Sequence, residues 1–254
     1  MTATFSASAL SERSVLVTGA SSGIGREVCR RMAALGAQVI GISRHGPRLQ
    51  ETADSLSGSG HTVVNMDLRD PGMSPLLDSV LAHARSPFGL VHCAGTQVIS
   101  PLKASTADDF RQMYEIHVVV ATELIRLVSK RIGSRGDGSF VLLGSVSGLR
   151  GGAGVAPYAV AKAAVVALAR SSALELVRQR IRVNCLVPGM VPTPMSDALL
   201  SRLPEARRSE TVSEHPLGLG AVDNVADAAA FLMTDAASWI TGAAIPVDGG
   251  FLAR

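Results

Sequence analysis

The sequence predicts an α/β protein built on a doubly wound parallel sheet of about seven strands, with helices on both faces. Short apolar runs alternate with longer segments of helical period along the chain, as repeated strand–helix–strand units require. These runs are continuously apolar rather than alternating, which is typical of strands covered on both faces. A length of 254 residues suits one such domain. We therefore predict that residues 1–254 form a single domain, with residues 1–13 as an N-terminal extension.

Seven candidate strands follow one another along the chain. They are Val15–Thr18, Gln38–Ile42, Thr62–Asp67, Leu90–Cys93, Ser139–Leu143, Arg182–Val187 and Ala243–Val247. Thr106 and Asp109 have the spacing of a capping box and predict a helix that continues through His117. The segment Tyr158–Arg178 is rich in Ala, Leu and Val on nearly every face. We expect this helix to be buried between the sheet and a neighbouring subunit.

Composition narrows the class of protein. Apolar residues make up 47% and charged residues 18%, which is the composition of a chain with a large core. A net charge of +3, scattered basic residues and 4% aromatic residues argue against nucleic-acid binding. Cys29, Cys93 and Cys185 lack paired spacing, so we expect reduced thiols and no metal site. Without an apolar run of ~20 residues or a secretion signal, we expect a cytoplasmic protein with no membrane span.

A glycine-rich loop follows the first predicted strand and precedes the first predicted helix. Its glycines have the spacing Gly-x3-Gly-x-Gly, and residues without a Cβ let a pyrophosphate approach the backbone closely. The helix would offer unpaired N–H groups and its positive dipole end to phosphates. Glycines also end strands for structural reasons, but the strand–loop–helix context favours dinucleotide binding. The predicted contacts come from Thr18, Gly19, Ser21, Ser22, Gly23, Ile24 and Gly25.

The end of the second predicted strand distinguishes two forms of the dinucleotide. A carboxylate there would hold the ribose 2′-hydroxyl, whereas an arginine suits a 2′-phosphate. The sequence has Arg44 at this point and no acid before Glu51, which favours NADP(H) over NAD(H). The alternative for Arg44 is a solvated surface residue. Asp67 ends the third predicted strand, where its carboxylate could accept a hydrogen bond from an adenine amino group or cap the next turn.

Tyr158 and Lys162 lie four residues apart, hence on one face of one predicted helix. A hydride arriving at a carbonyl carbon requires a proton for the oxygen, which a phenol can supply. An unperturbed tyrosine titrates near pH ~10, and a nearby Lys cation together with the positive nicotinamide of the cofactor could lower this pKa by favouring the phenolate. Ser145 follows the fifth strand, where its hydroxyl would hydrogen-bond the same oxygen, with Ser147 as the alternative. Tyr-x3-Lys occurs on many helices by chance, but the glycine loop and Ser145 make chance a poor explanation.

With these motifs in this order, the sequence resembles the short-chain dehydrogenase/reductase family, and in particular its compact members similar to 3-oxoacyl-acyl-carrier-protein reductases. The resemblance covers Val15 to Phe251. It is carried by Thr18–Gly25, Ser145, Tyr158, Lys162, Pro188–Thr193, Ile240–Gly242 and Val247–Gly250. It implies a Rossmann-type fold that forms homotetramers or homodimers through its long helices.

The resemblance also implies a role for each matching residue. Tyr158 would be the proton donor or acceptor, Lys162 a ribose ligand that modulates the pKa of the tyrosine, and Ser145 the group that polarises the carbonyl. Val191 and Thr193 would contact the nicotinamide carboxamide and a nearby phosphate. Further cofactor contacts are expected from Asp67, Leu68, Ala94, Gly95, Pro188 and Gly189.

The sequence departs from the family pattern at two places. The family usually has Asn-Asn-Ala-Gly after the fourth strand, where this chain has His92-Cys93-Ala94-Gly95. In the helix after Thr106, the family commonly has an Asn whose backbone holds a water that touches the catalytic Lys, and His117 takes that position here. His117 is either a core histidine satisfied by one backbone bond or a catalytic group whose imidazole joins the proton relay.

These observations predict an NADP(H)-dependent oxidoreductase that acts on a small-molecule carbonyl or secondary alcohol. The alternatives are an NAD-linked alcohol dehydrogenase and a non-catalytic nucleotide-binding scaffold of the same fold. A nucleotide-sugar epimerase is disfavoured, because little chain remains for a separate substrate domain. We expect residues 190–216 to form a substrate lid. Its arginines, Arg202, Arg207 and Arg208, would either meet an acidic substrate or be solvated.

Overall fold

Seven parallel strands form one sheet at the centre of the protein. The computed structural model describes residues 5–84, 87–133, 136–201 and 204–254. The strands are β1 (Ser14–Thr18), β2 (Gln38–Ser43), β3 (Thr62–Asn65), β4 (Pro87–His92), β5 (Gly138–Leu143), β6 (Ile181–Pro188) and β7 (Ala244–Val247). Their order is β3-β2-β1-β4-β5-β6-β7, and every neighbouring pair is parallel. The predicted doubly wound sheet is therefore confirmed.

Helices cover both faces of this sheet. They are α1 (Gly23–Ala34), α2 (Gly46–Asp54), α3 (Met73–Ala82), α4 (Ala107–Tyr114), α5 (Val120–Ile132), α6 (Ala156–Leu176), α7 (Pro194–Leu200), α8 (Glu205–Ser213) and α9 (Val222–Met233). One buried cluster joins the sheet to α3, α5 and α6, and the other joins it to α1, α2 and α9. The apolar residues of the central strands contribute to both clusters, which explains their continuous hydrophobicity.

The direction of strand addition reverses between β1 and β4. From β1 the chain adds β2 and β3 on one side and β4 to β7 on the other. In such a sheet the loops after the two central strands diverge and leave a crevice at the carboxyl edge, where ligands bind. The glycine loop after β1 and the Cys93–Gly95 segment after β4 both lie at this crevice.

The two edge strands correct part of the prediction. β3 is half-buried or exposed at every residue, and β7 is half-buried with one exposed residue. Each has a neighbouring strand on one side only, so the expectation of burial on both faces holds for the central strands alone. β3 also ends at Asn65, which places Asp67 in the following turn rather than in the strand. β4 begins at Pro87, three residues before the predicted start.

The capping box predicted at Thr106 is confirmed. The Thr106 hydroxyl accepts a hydrogen bond from the backbone N–H of Asp109, whose carboxylate accepts one from the backbone N–H of Thr106. The helix that begins here does not continue evenly, because a π-helical turn at Glu115–Val119 separates α4 from α5. Such turns interrupt the regular hydrogen-bond ladder and are frequent at functional sites.

Helix α6 begins two residues before the predicted start and ends at Leu176, followed by a 3-10 turn. One face packs against the sheet through residues such as Val165 and Ala169. The opposite face exposes Val160 and Leu174. Within one chain, therefore, only one face of the predicted all-round apolar helix is buried. Among the described residues, no helix has both the length and the apolar character that a membrane crossing requires.

The described part of the N-terminal extension packs against the domain. Leu10 is fully buried, and its backbone N–H donates to the carbonyl of Leu35 over 2.8 Å. The ring of Phe5 stacks on Phe231 of α9, with 6.5 Å between ring centroids. Residues 1–4 lie outside the described residues. Residues 5–13 thus cover the ends of α1 and α9.

Candidate active site

The glycine loop has the shape that a pyrophosphate cradle needs. Gly19 has φ +69°, and a Cβ at this position would lie 3.0 Å from the backbone nitrogen of Ala94. A Cβ at Gly25 would overlap the carbonyl of Gly19. Ser22 precedes α1 with an extended backbone, and its side chain gives no capping hydrogen bond. The N-terminal N–H groups of α1 thus stay available to phosphate oxygens, and the loop fits a dinucleotide.

Arg44 and Asp67 lie side by side at the carboxyl ends of β2 and β3. Arg44 Nη1 is 3.6 Å from Asp67 Oδ2, and 63% of the Arg44 side chain is exposed. Arg69, which the sequence reasoning missed, donates to both carboxylate oxygens of Asp67. The backbone N–H of Arg69 also donates to Asp67 Oδ1. Asp67 therefore caps the turn after β3, which is one of the two roles that the sequence left open for it. The bonds from Arg69 hold the pKa of Asp67 at about 2.

His92 joins three segments at the end of β4. The hydroxyl of Thr18 lies 2.9 Å from His92 Nδ1, and His92 Nε2 lies 3.2 Å from the carbonyl of Ile116. A carbonyl oxygen only accepts, so Nε2 carries the proton and Nδ1 accepts from Thr18. Thr18 in turn accepts from the backbone N–H of Ala94 over 3.0 Å. His92 therefore links strands as the family's asparagine would, and burial lowers its pKa to about 4.

His117 lies in the π-helical turn and is 1% exposed. Its Nε2 donates to the carbonyl of Thr96 over 2.8 Å, and its ring meets the ring of Tyr158 edge to face at 5.6 Å. Its Nδ1 is buried and has no hydrogen-bond partner in the structure. Burial, with a smaller effect from the Lys162 cation, lowers the pKa of His117 to about 2. The imidazole is therefore neutral at physiological pH.

Tyr158, Lys162 and Ser145 come together where α6 meets the end of β5. The side chain of Ser145 lies close enough to the phenol of Tyr158 to lower its pKa. Lys162 Nζ donates to the carbonyl of Leu143 over 2.7 Å and lies 5.5 Å from the centroid of the Tyr158 ring. Ser147 lies on the same turn, but its backbone N–H donates to Ser145 Oγ. Ser145 therefore neighbours the phenol, and its role in the reaction stays a prediction.

Burial governs the ionisation of this group. Burial raises the pKa of Tyr158 to about 12, and the Ser145 hydrogen bond lowers it only in part. We expected the Lys162 cation to lower the pKa of Tyr158, but the ammonium is bonded to Leu143 and lies beside the ring. Burial also lowers the pKa of Lys162 to about 8. The ammonium remains mostly charged at neutral pH.

These groups line one cleft of about 770 Å³. All the predicted site residues line it except Thr18, which is fully buried behind the cleft wall. The predicted lining residues are Gly19, Ser21, Ser22, Gly23, Ile24, Gly25, Arg44, Asp67, Leu68, Ala94, Gly95, His117, Ser145, Tyr158, Lys162, Pro188, Gly189, Val191 and Thr193. The cleft therefore runs from the Arg44–Asp67 end, past the glycine loop, to the Tyr158 end.

The predicted lid forms α7 and α8 beyond the Tyr158 end of the cleft. His215, just after α8, accepts from the backbone N–H of Met190 over 3.0 Å and packs against Phe251. Arg208 pairs with Glu205 and with the carbonyl of Ser201. Arg202 lies outside the described residues, and the side chain of Arg207 is not described. The sequence reasoning also missed Phe251 as a lining residue, because it lies almost 100 residues beyond Tyr158 in the chain.

Comparisons with known proteins agree with this geometry. A family model described as enoyl-(acyl carrier protein) reductase matches residues 19–252. The 3-oxoacyl-(acyl-carrier-protein) reductase FabG of Salmonella typhimurium is 34% identical over 240 residues, which cover 92% of this chain and 95% of that protein. The (3R)-3-hydroxyacyl-CoA dehydrogenase of Mus musculus is 34% identical over 249 residues, with 92% and 94% covered.

Solved structures give the same result. Levodione reductase superposes with a TM-score of 0.91 at 28% identity, covering 96% of this chain and 99% of the other. A protein from Beutenbergia cavernae described as an NAD(P)-dependent gluconate 5-dehydrogenase has a TM-score of 0.88 at 32% identity, covering 96% and 98%. That structure contains NADP at low occupancy. The chain belongs to the short-chain dehydrogenase/reductase family of oxidoreductases.

Proposed function

We propose that this protein transfers a hydride between NADP(H) and the carbonyl or secondary alcohol carbon of a small molecule. The observation that carries the proposal is the grouping of Ser145, Tyr158 and Lys162 at one end of a cleft whose other end holds the glycine loop and Arg44. A dinucleotide bound to the loop would extend toward Tyr158. The reaction direction follows from substrate and cofactor concentrations rather than from the protein.

Tyr158 is the proposed proton donor in carbonyl reduction and acceptor in alcohol oxidation. Its pKa of about 12 keeps the proton on the phenol in the structure. Each unit by which this pKa is lowered requires about 1.4 kcal/mol of phenolate stabilisation. Ser145 supplies one hydrogen bond toward it. Lys162 would supply a charge by turning from the Leu143 carbonyl toward the phenol and a ribose hydroxyl. Bound NADPH would supply the hydride.

The proposed role of Ser145 is to polarise the substrate oxygen. Ser145 is 9% exposed, and its hydroxyl faces the same space as the phenol. One substrate oxygen could therefore accept hydrogen bonds from both groups. A donor fixed where charge develops stabilises the transition state more than the ground state. The proton-relay role of His117 stays a prediction. With a pKa of about 2, its ring would take part in the neutral form.

Use of NADP(H) is supported by Arg44 and by the relatives. Arg44 is the cation at the end of β2, where a 2′-phosphate would lie, and its side chain is largely exposed to the cleft. Two similar structures, both described as sugar-acid dehydrogenases, contain NADP. The activities named for the FabG and hydroxyacyl-CoA dehydrogenase relatives also support a 3-oxoacyl thioester as the first substrate class to assay.

The deciding experiment measures nicotinamide fluorescence while wild type and Arg44→Ala are titrated with NADPH and with NADH. We expect wild type to prefer NADPH, and Arg44→Ala to weaken NADPH binding by about tenfold with little change for NADH, because one charge-assisted contact is lost. Oxidation of NADPH by a panel of carbonyl compounds then tests turnover. Equal binding of NADH by wild type would favour the NAD-linked alcohol dehydrogenase instead. Binding without turnover would favour a nucleotide-binding scaffold.

We further propose that the protein forms a homodimer or homotetramer. Val160 and Leu174 are 53% and 78% exposed on the outer face of α6, and Trp239 is 99% exposed. Large apolar side chains at such exposure favour burial against another copy. Light scattering behind size-exclusion chromatography measures the mass directly, and a mass of about 26 kDa would contradict the proposal. The cytoplasmic location stays a prediction.

A further inference from the structure

Arg69 holds the Asp67 carboxylate at the Arg44–Asp67 end of the cleft. Arg69 Nη2 is 2.8 Å from Asp67 Oδ2, and Arg69 Nε is 3.1 Å from Oδ1. The backbone N–H of Arg69 donates to Oδ1 as well, over 3.0 Å. A guanidinium that faces both oxygens of a carboxylate is the strongest geometry such a pair adopts. The charge of Asp67 is thus compensated from within its own turn.

Arg44 is the second cation beside the same carboxylate. Its Nη1 lies 3.6 Å from Asp67 Oδ2, and it does not bond both carboxylate oxygens as Arg69 does. The Arg44 side chain is also more exposed than that of Arg69, at 63% against 40%. Arg44 is therefore the arginine that can change partners. A phosphate held by Arg44 would lie within roughly one guanidinium width of Asp67, where repulsion between unshielded anions is substantial.

The charges around this point balance closely. Arg44 and Arg69 supply two positive charges, and Asp67 supplies one negative charge. Asp67, and to a smaller extent the carboxylate of Glu115 in the π-helical turn, raise the pKa of Arg69. Removal of Arg69 would leave Asp67 and Glu115 against Arg44 alone. The released Asp67 would then compete with a phosphate for the Arg44 guanidinium.

We propose that Arg69 determines cofactor preference by shielding Asp67, so that Arg44 stays available to a 2′-phosphate. The residue does not itself have to contact the cofactor, which makes it a positioning residue rather than a ligand. The inference rests on the proposed use of NADP(H). It goes beyond that proposal because it assigns the preference to a pair of arginines with different tasks, one that binds and one that neutralises.

The test compares dissociation constants of NADPH and NADH for wild type, Arg69→Ala, Asp67→Asn and the double variant, by nicotinamide fluorescence. Arg69→Ala should weaken NADPH binding by about tenfold and NADH binding by less than about twofold, because only NADPH carries the 2′-phosphate. The double variant should return the NADPH/NADH ratio to within about twofold of wild type, because no carboxylate then needs shielding. Raising the salt concentration should reduce the loss in Arg69→Ala.

Arg126→Ala is the matched control. Arg126 faces both carboxylate oxygens of Glu123 on α5 in the same way, and neither residue lines the cleft. Its removal should leave both dissociation constants unchanged. Arg69→Gln, which removes the charge and keeps hydrogen-bond donors, repeats the test if Arg69→Ala unfolds at a lower urea concentration than wild type.

Each outcome decides the inference. An unchanged NADPH/NADH ratio in Arg69→Ala and Arg69→Gln would overturn it. A double variant as weak for NADPH as Arg69→Ala would also overturn it, because Arg69 would then contact the phosphate directly. If wild type binds no NADPH, the proposed function fails and the inference fails with it. Tight NADPH binding with an unchanged ratio refutes the shielding role alone.

Discussion

Tyr158 and Lys162 show how strongly burial acts on individual residues of this site. Burial moves the pKa of Tyr158 up to about 12 and that of Lys162 down to about 8, in each case toward the neutral form. In model compounds the lysine has the higher pKa, whereas in this site the tyrosine does. Lys162 is then the more acidic of the two groups. Phenolate formation therefore needs the ammonium to turn toward the phenol, or an additional positive charge in the cleft.

Replacing Tyr158 with Phe tests its catalytic role. We expect turnover of any accepted carbonyl substrate to fall by at least about a hundredfold, because general acid–base catalysis contributes roughly that factor or more. NADPH binding should change by less than about twofold, because the ring and its packing remain. Absorbance at the nicotinamide band measures turnover, and fluorescence measures binding.

Tyr114→Phe is the control, since Tyr114 is the other tyrosine of the chain and is 49% exposed. It should retain wild-type turnover. Retained turnover in Tyr158→Phe would remove the phenol from the mechanism.

Acid should destabilise the protein through His92 and His117. Their folded-state pKa values, about 4 and about 2, lie below the unfolded value of 6.5. The unfolded chain therefore binds these protons first, so their stabilising effect is complete above pH 6.5 and is lost as the pH falls toward the folded values. Between about pH 6.5 and pH 4, each histidine adds a slope of about 1.4 kcal/mol per pH unit.

Urea unfolding of wild type and His117→Asn at several pH values in this range measures that slope. The slope of the variant should be shallower by about 1.4 kcal/mol per pH unit. His83→Asn is the control for replacing a histidine at an exposed position, at the end of α3. Parallel curves for wild type and His117→Asn would contradict burial as the cause.

At the scale of elements, the π-helical turn and the segment after β4 hold each other by two histidine bonds. His92 of β4 donates to Ile116 of the turn, and His117 of the turn donates to Thr96 after β4. Both positions depart from the asparagines usual in the family, and the structure shows that the two departures lie in one contact. The pair links β4 and the segment after it to the ring of Tyr158.

Gly95 lets these two elements approach. A Cβ at Gly95 would overlap the buried ring of His117. Gly95→Ala should lower the free energy of unfolding by about 1–3 kcal/mol, the usual cost of overpacking, and should weaken NADPH binding. Urea unfolding and nicotinamide fluorescence measure the two effects.

Gly151→Ala is the control, because a Cβ there has no neighbour within 4 Å. It should be close to neutral. The double variant Gly95→Ala/His117→Ala removes the overlap and should be less destabilised than the sum of its single variants. Additive losses would show that the His117 ring is not the obstacle.

At the scale of the whole molecule, the cleft exists because the strand order reverses between β1 and β4. Because the strands are parallel, the glycine loop, the segment after β4 and the end of β5 lie at one edge of the sheet. Residues as distant in the chain as Gly19, Ser145 and Phe251 thereby line one space. Residues of α7 and α8 and Phe251 then line the Tyr158 end of the cleft.

Much of this arrangement could be predicted from the sequence, because its signals are local. Continuous apolar runs indicate buried strands, the Thr106–Asp109 spacing indicates a helix start, and glycines between strand and helix indicate a phosphate-binding turn. Tyr158 and Lys162 share a helix face by spacing alone. Each inference needs only a few adjacent residues and the geometry of the backbone, which are the same in any fold.

Only the tertiary structure decided what depends on contacts between distant segments. The exposure of β3 and β7 follows from their place at the sheet edges, and the high pKa of Tyr158 follows from burial. The task of Arg69 could have been suspected from its position two residues after Asp67, but its geometry and the proximity of Arg44 required the fold. The sequence by itself determined the elements and the candidate chemistry. Burial, charge balance and the pairing of His92 with His117 were decided by packing, because they depend on neighbours that the chain brings together only on folding.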